Sequence, residues 1–508
     1  MTGSTPPWVV AFLALYFLVS VTLFLYGMHA YLMVGLYARS KRRARPRPPI
    51  RRLPPVTVQL PIYNERYVAA RLIEAVSCLD YPRRLLEIQV LDDSTDDTVA
   101  HVAELVRRLR ADGWNAVHRH RTRRTGYKGG ALREGLTEAC GELVAVFDAD
   151  FLPPPDFLQD TVPYFEDPGV GMVQTRWTHL NETYSPLTRI QAVALDAHFL
   201  IEHTVRNRNG AFINFNGTAG IWRKACIQDA GNWQDDTLTE DLDLSYRAQL
   251  AGWKFLFLPE VVCPAELPAE MNGLKGQQFR WAKGSAQTAR KLLPRLLAAP
   301  VSPFARFQAF VHLTNHVAYP LLILLGLFSL PALWTLDHHP ETAWIFRAAT
   351  VLVAASFGHP WFYFLAQRAR GKSRREAWAM VPMVVAGNMG IAINNTRALA
   401  EGFLGRPGEF NRTPKYALIS PSDPWRDKGY RVPASAWPLV ELLFAAYILI
   451  ALLYAVRHGH TLAVPFLLLY IVGAGAFGGL SLWSAWSHVF RKRAAAPAIA
   501  TAAATRGD

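Results

Sequence analysis

The chain has 508 residues, 51% of them hydrophobic and 19% charged, with a formal net charge of +14. That length exceeds one ordinary core, and the mixture excludes both a simple soluble enzyme and an all-membrane bundle. The basic excess does not signal nucleic acid, because no recognition motif accompanies it and it clusters beside apolar segments.

Residues 8–37 contain no Asp, Glu, Lys or Arg and are long enough to span a bilayer. No positive segment precedes them and the run is too long for a signal-peptide core, so 1–38 is expected to be an uncleaved anchor. A basic linker over 39–54 follows, with Arg39, Lys41, Arg42, Arg43, Arg45, Arg47, Arg51 and Arg52 and no acid among them. It reads as a positive-inside signal in contact with anionic headgroups, which leaves the N-terminus outside and the next segment cytoplasmic.

Over 55–266 the composition is that of a globular domain. Val56-Thr57-Val58-Gln59-Leu60, Ile88-Gln89-Val90-Leu91 and 143–147 suit short buried parallel strands. Between them 68–79, 99–109 and a segment opening at Lys128-Gly129-Gly130 have helical patterns. This alternation predicts an α/β fold with a mainly parallel sheet, which binds ligands outside the carboxyl ends of its strands. No G-x-G-x-x-G opens the first strand–helix turn, which disfavours a dinucleotide oxidoreductase. The dispersed cysteines Cys78, Cys140, Cys226 and Cys263 fit a reduced compartment without metal or disulfide.

Polar groups gather where the strands end: Pro61-Ile62-Tyr63-Asn64-Glu65, Asp92-Asp93-Ser94-Thr95-Asp96-Asp97 and Asp148-Ala149-Asp150. Asn64, Ser94, Asp96 and Asp97 read as helix caps and dipole partners, whereas Asp93 and Asp150 converge on one crevice. Two carboxylates one residue apart, just past a buried strand, suit a divalent cation held against a diphosphate. Thr239-Glu240-Asp241 opens a helical run over 242–250 and is either an N-terminal cap or a general base for an acceptor hydroxyl. A basic amphipathic helix over 267–300 is expected at the membrane surface. It carries Gln277-Gln278-Phe279-Arg280-Trp281, whose Arg suits a departing diphosphate and whose Trp offers a face for sugar stacking.

The region 301–490 holds further apolar segments at 307–336, 343–366, 435–456 and 461–490. The segment 377–401 is expected to be re-entrant or interfacial, since Pro382, Gly387, Asn388, Gly390, Asn394 and Asn395 weaken a lipid-facing helix. Counting it as a span would also place the basic loop 402–432 and the tail 491–508 outside. Glu441, inside the 435–456 segment, reads either as a contact for a translocating sugar or as an acid solvated at the interface.

The ordered set of Asp93, Asp148-x-Asp150, Thr239-Glu240-Asp241 and Gln277-x-x-Arg280-Trp281, lying between membrane spans, resembles a membrane family 2 glycosyltransferase of the cellulose-synthase-like superfamily. It is most like the mannan and glucomannan synthase-like and xyloglucan-backbone synthase-like branches. The stretches Val173-Gln174-Thr175-Arg176-Trp177, Phe215-Asn216-Gly217-Thr218-Ala219-Gly220 and Gly252-Trp253-Lys254-Phe255-Leu256 carry the likeness further. The resemblance implies a GT-A-type α/β domain inserted between transmembrane helices. It implies an inverting hexosyltransferase that uses UDP-glucose or GDP-mannose to form β-linkages, processively and coupled to translocation. The alternative is a glycolipid synthase acting on diacylglycerol or ceramide. A non-catalytic transporter or scaffold is disfavoured by the intact motifs.

By the same resemblance, Pro61, Tyr63, Glu65 and Asp93 contact the nucleotide, Lys128 reaches the base or diphosphate, and Asp148 binds donor. Asp150 holds Mg²⁺ or Mn²⁺. Asp241 is the base, with Glu240 and Arg280 in the catalytic group. Phe215, Asn216, Gly217 and Thr218 line the acceptor pocket, and Gln277 and Trp281 hold the acceptor end. Phe410-Asn411-Arg412-Thr413-Pro414-Lys415 is similar to a gating loop of pattern F-x-V-T-x-K, with Phe410, Thr413 and Lys415 matching and Arg412 in place of Val. The expected partners are a nucleotide sugar, a growing glycan or lipid acceptor and membrane lipids, with no nucleic acid. The expected location is a bacterial inner membrane with the catalytic domain cytoplasmic.

Overall fold

Short apolar runs separated by helices build a seven-stranded sheet in the computed structural model. It describes residues 5–504 except Ala44, Pro407, 409–411, Pro421, 424–427 and 429–434, with side chains described as far as Ser484. The strands are β1 (Val56–Ile62), β2 (Leu86–Asp92), β3 (Asn115–His120), β4 (Leu143–Val146), β5 (Val170–His179), β6 (Gly220–Arg223) and β7 (Lys254–Ala265). Their spatial order is β3-β2-β1-β4-β6-β5-β7. The first four are parallel, β6 runs antiparallel to both β4 and β5, and β7 is parallel to β5.

That one reversal positions the site. Because Val146 pairs with Gly220, the chain entering β6 arrives at the carboxyl end of β4, where Asp148 and Asp150 follow. Helices Ala69–Ser77, Thr98–Ala111 and Tyr127–Glu138 cover the sheet. On one face Val58, Leu60, Leu72 and Val76 pack together, and on the other Leu132, Leu136, Val146 and Trp222 do so. Burying each of these large side chains contributes about 1.5–3 kcal/mol.

The helix Met271–Ala298 links the sheet domain to the apolar helices. Among the described residues, five helical segments are long and apolar enough to cross a membrane: Pro7–Lys41, Pro303–His338, Pro340–Ala369, Trp437–Arg457 and Thr461–Ser484. The pair Arg374–Gly390 and Ala392–Phe403 bends by 44°. Small residues let some of these helices meet backbone to backbone. A Cβ on Gly27 would lie 2.7 Å from Ala355 O, and one on Gly390 would lie 2.6 Å from Gly473 O.

Glu441 is not the acid solvated at the interface that one reading expected. Its carboxylate is buried, with 1% exposure, and accepts from Lys275 Nζ at 2.5 Å. The amphipathic helix therefore reaches into the apolar helices through a buried ion pair.

Candidate active site

The carboxyl ends of β1, β2 and β4 open into one pocket, closed from the far side by the helix starting at Glu240 and by the helix carrying Arg280. The loops after β1 and β2 brace each other. Asn64 N donates to Ser94 Oγ at 2.8 Å, and Thr95 N donates to Asn64 Oδ1 at 2.8 Å. Asn64 adopts a positive φ of 56°, a conformation Asn tolerates better than most residues. Pro61, Tyr63 and Glu65 line the pocket beside this brace, as does Asp93.

Asp93 is gripped by Arg121, whose Nε and Nη2 lie 2.6 and 2.7 Å from its two oxygens. Arg124 lies with its guanidinium carbon 3.5 Å from the Tyr63 ring centroid. Neither arginine was among the sequence candidates. The signal that marks them is their position in a basic run directly after the carboxyl end of β3.

Both carboxylates after β4 are held by ammonium groups. Lys128 Nζ lies 2.5 Å from Asp148 Oδ1 and 2.8 Å from Gly217 O. Lys415 Nζ lies 2.6 Å from Asp150 Oδ2 and 2.9 Å from Glu266 O. Lys128 thus bridges Asp148 and the loop preceding β6. Burial opposes its charge, but Asp148 and Glu240 hold its pKa above the ordinary lysine value.

Asp241 stands at the start of the helix Glu240–Leu250. Leu242 N donates to its Oδ1 at 2.8 Å, and Ser245 Oγ donates to its carbonyl at 2.6 Å. Burial and the neighbouring Glu240 carboxylate push the Asp241 pKa up to about 7, against the lowering effect of Lys128. Burial likewise raises Glu240. A carboxylate poised near neutrality in a cleft is suited to proton abstraction.

Asn216 and Gly217 face the pocket. Gly217 has φ +82°, and a Cβ there would lie 3.1 Å from Asp241 Oδ2 and 3.4 Å from Lys128 Nζ. Thr218 works from behind, its Oγ1 accepting from Asp148 N at 2.8 Å. Phe215 departs from its expected place. Its ring is fully buried against Trp222, with centroids 5.5 Å apart, so it supports the loop from the core and does not line the pocket.

Gln277, Arg280 and Trp281 line the opposite wall. Arg280 Nη2 donates to Thr413 Oγ1 at 2.9 Å. Burial lowers the Arg280 pKa to about 10, which still leaves it charged at neutral pH. Thr413 and Lys415 therefore both touch the site, while Phe410 lies outside the described residues. Glu266 anchors the same loop by accepting from Tyr416 N at 2.6 Å and pairing with Arg71 at 2.9 Å.

Residues 54–284 match the family described as "Glycosyltransferase like family 2". Glucomannan 4-beta-mannosyltransferase 1 of Cyamopsis tetragonoloba is 32% identical over 449 residues, covering 84% of this chain and 81% of that protein. The chain belongs to the family 2 glycosyltransferases. Glucomannan 4-beta-mannosyltransferase 2 of Arabidopsis thaliana is 45% identical over 250 residues, 48% of this glycosyltransferase and 47% of that relative. The match thus spans about half the length of the Arabidopsis protein. A solved mannosyltransferase from Pyrobaculum calidifontis, in complex with GDP-Man and Mn²⁺, aligns at TM-score 0.48 and 22% identity over 77% of this chain and 100% of that one. A likeness that loose leaves the GT-A-like mixed α/β fold to rest on the strand order and the family match.

A divalent cation fits the donor set of this glycosyltransferase in kind. Asp148 and Asp150 offer hard oxygen ligands, and each already attracts a cationic side chain. Among the described residues no group of three His, Cys, Asp or Glu side chains forms a complete protein cage. Mg²⁺-type sites that share their ion with substrate phosphates need only one or two protein carboxylates.

Proposed function

We propose that this chain transfers a hexosyl unit, with inversion, from a nucleotide-sugar donor to a hydroxyl of a growing β-glycan. The observation that carries this reading is the convergence of Asp148, Asp150, Asp241 and Arg280 on one pocket. The bond from the anomeric carbon to the diphosphate breaks, a bond to the acceptor oxygen forms, and the acceptor proton passes to Asp241. Asp241 is poised for this because burial holds its pKa near neutrality. Arg280 and Lys415 face the position where diphosphate charge grows. Asp148 and Asp150 would hold Mg²⁺ or Mn²⁺, which supplies further neutralisation of the leaving group. Asn216, Gly217 and Trp281 form the acceptor side, and Tyr63 and Asp93 the nucleotide side.

The relatives named as glucomannan 4-beta-mannosyltransferases favour a mannosyl over a glucosyl donor and a polymer over a glycolipid. They are plant proteins and lend no support to a bacterial inner membrane. The loop contacts support a topology. Lys415 reaches Asp150, so the loop lies on the same side as the catalytic domain. Two crossings, by Pro303–His338 and Pro340–Ala369, achieve that if the bent pair does not itself cross. Partial penetration by a bent pair buried among other helices is allowed, because irregular backbone there is shielded from lipid.

The test gives purified full-length protein labelled GDP-mannose and UDP-glucose, followed by size and linkage analysis of the product. Label in a β-linked polymer is expected. Chloroform-soluble label would replace the polymer reading with the glycolipid one, and no incorporation from either donor would remove both. Asp241→Asn should lower kcat by about 10²–10⁴-fold while nucleotide binding persists.

A further inference from the structure

The loop before β6 enters the pocket as Asn214-Phe215-Asn216-Gly217, and its main chain and its side chains are braced separately. Asn216 N donates to Gln174 Oε1 at 2.9 Å, which holds the main chain. The Asn216 side chain is held by Asn214, whose Nδ2 donates to Asn216 Oδ1 and, at 3.3 Å, to Phe215 O. A main-chain carbonyl can only accept, so the Phe215 contact fixes which way the Asn214 amide faces. Its Oδ1 then points to His203 Nε2 at 3.2 Å, and the imidazole must be the donor there.

His203 is itself locked in place. It ends the π-helix Ala197–His203, whose i→i+5 bonds bring residues five apart onto one face. His198 accordingly meets it with ring centroids 4.4 Å apart, and Phe257 packs on it edge-on at 5.2 Å. The His203 side chain is fully buried, and that burial holds its pKa well below the ordinary histidine value. The ring therefore stays neutral, with its one proton on Nε2.

One donor is left over. With Oδ1 committed to Asn214, Asn216 still has its Nδ2, and that nitrogen is buried with no partner among the described residues although Asn216 lines the pocket. An unpaired buried donor is costly, and a neutral amide N–H suits an uncharged oxygen such as a sugar hydroxyl. We propose that His203 and Asn214 are positioning residues that fix the Asn216 amide, and that its N–H donates to a hydroxyl oxygen of the acceptor sugar. This rests on the glycosyl-transfer reading and deepens it, by extending acceptor recognition to a buried histidine that touches no substrate. No covalent bond changes at these residues, and the acceptor proton still passes to Asp241.

The experiment measures initial rates of label incorporation by detergent-solubilised full-length protein with Mn²⁺ present. The substrates are GDP-mannose with β-linked mannotriose, or UDP-glucose with cellotriose, whichever pair the wild type uses. His203→Phe should raise the acceptor KM about three- to tenfold, with kcat and the donor KM within about twofold. His203→Gln, whose amide can place an N–H near the Nε2 position, should recover most of that loss. Asn216→Ala should raise the acceptor KM by a similar factor, and the double variant with His203→Phe should be no worse than Asn216→Ala alone. Additive losses, acceptor and donor KM rising together, or His203→Gln no better than His203→Phe would overturn the assignment. If His203→Phe melts early, Asn216→Asp decides the matter, since it keeps the oxygen facing Asn214 and lacks the donor. An acceptor KM raised as in Asn216→Ala would support the proposal, and one equal to wild type would overturn it. Wild type that incorporates no label from either donor would instead sink the glycosyl-transfer reading itself.

Discussion

Asp241 carries the clearest pH signature. Its folded pKa is raised to about 7, so in the proposed role of base it would be protonated, and unable to take a proton, below neutrality. The rate kcat/KM should therefore fall as pH drops through about 7, measured over pH 5.5 to 9. The same shift means that ionising Asp241 opposes folding. The stability it contributes is present below the ordinary aspartate range and is lost as pH rises through about 7. Lys128 lowers this pKa, so Lys128→Met should move the acid limb upward; a limb left in place would show that Lys128 does not tune the base. Gly217→Ala should lower kcat at least about tenfold with little change in melting temperature. A Cβ at that loop position meets Asp241 and Lys128 at a backbone angle that favours glycine. Most of these groups were legible in the sequence because strand ends converge by topology. Arg121, Arg124 and Glu266 were not, since their roles depend on side-chain reach across elements distant in the chain.

The elements read from apolar periodicity formed where that periodicity was strong. The segment 68–79 contains the helix Ala69–Ser77, and the surface-helix pattern of 267–300 contains Met271–Ala298. The strand β3 escaped because its sequence, Asn-Ala-Val-His-Arg-His, is an exposed sheet edge with no apolar run to announce it. Phe215 was misplaced for a related reason: an aromatic in a glycine-containing loop looks like a ligand platform until the core behind it is known. At this scale the Lys275–Glu441 pair makes its own prediction. Removing one partner leaves a buried charge, so Lys275→Met should cost about 3–5 kcal/mol of stability. Lys275→Met with Glu441→Leu should recover most of the lost melting temperature. A double variant no better than the single one would mean that the pair does more than neutralise itself.

For the whole molecule, the membrane region and the catalytic domain depend on each other through a loop that leaves the apolar helices and returns to the active site. A cysteine placed at Ser420 should be labelled by an impermeant maleimide from the side that exposes the catalytic domain, and one at His339 from the opposite side. Labelling of both from one side would show that the bent pair crosses. Chelation with EDTA should abolish sugar incorporation, with activity restored by Mn²⁺ or Mg²⁺. Activity that survives chelation would leave Lys128, Arg280 and Lys415 to neutralise the leaving group without a metal.

The glycine contact between Gly390 and Gly473 bears on traffic. Where two helices meet with main chain against main chain, no gap the width of a pyranose ring lies between them. A Cβ at Gly473 would fall on Ala386 O, so that seam is a weld along more than one turn. At this seam the bent pair and the last helix therefore leave no passage for a sugar chain between them.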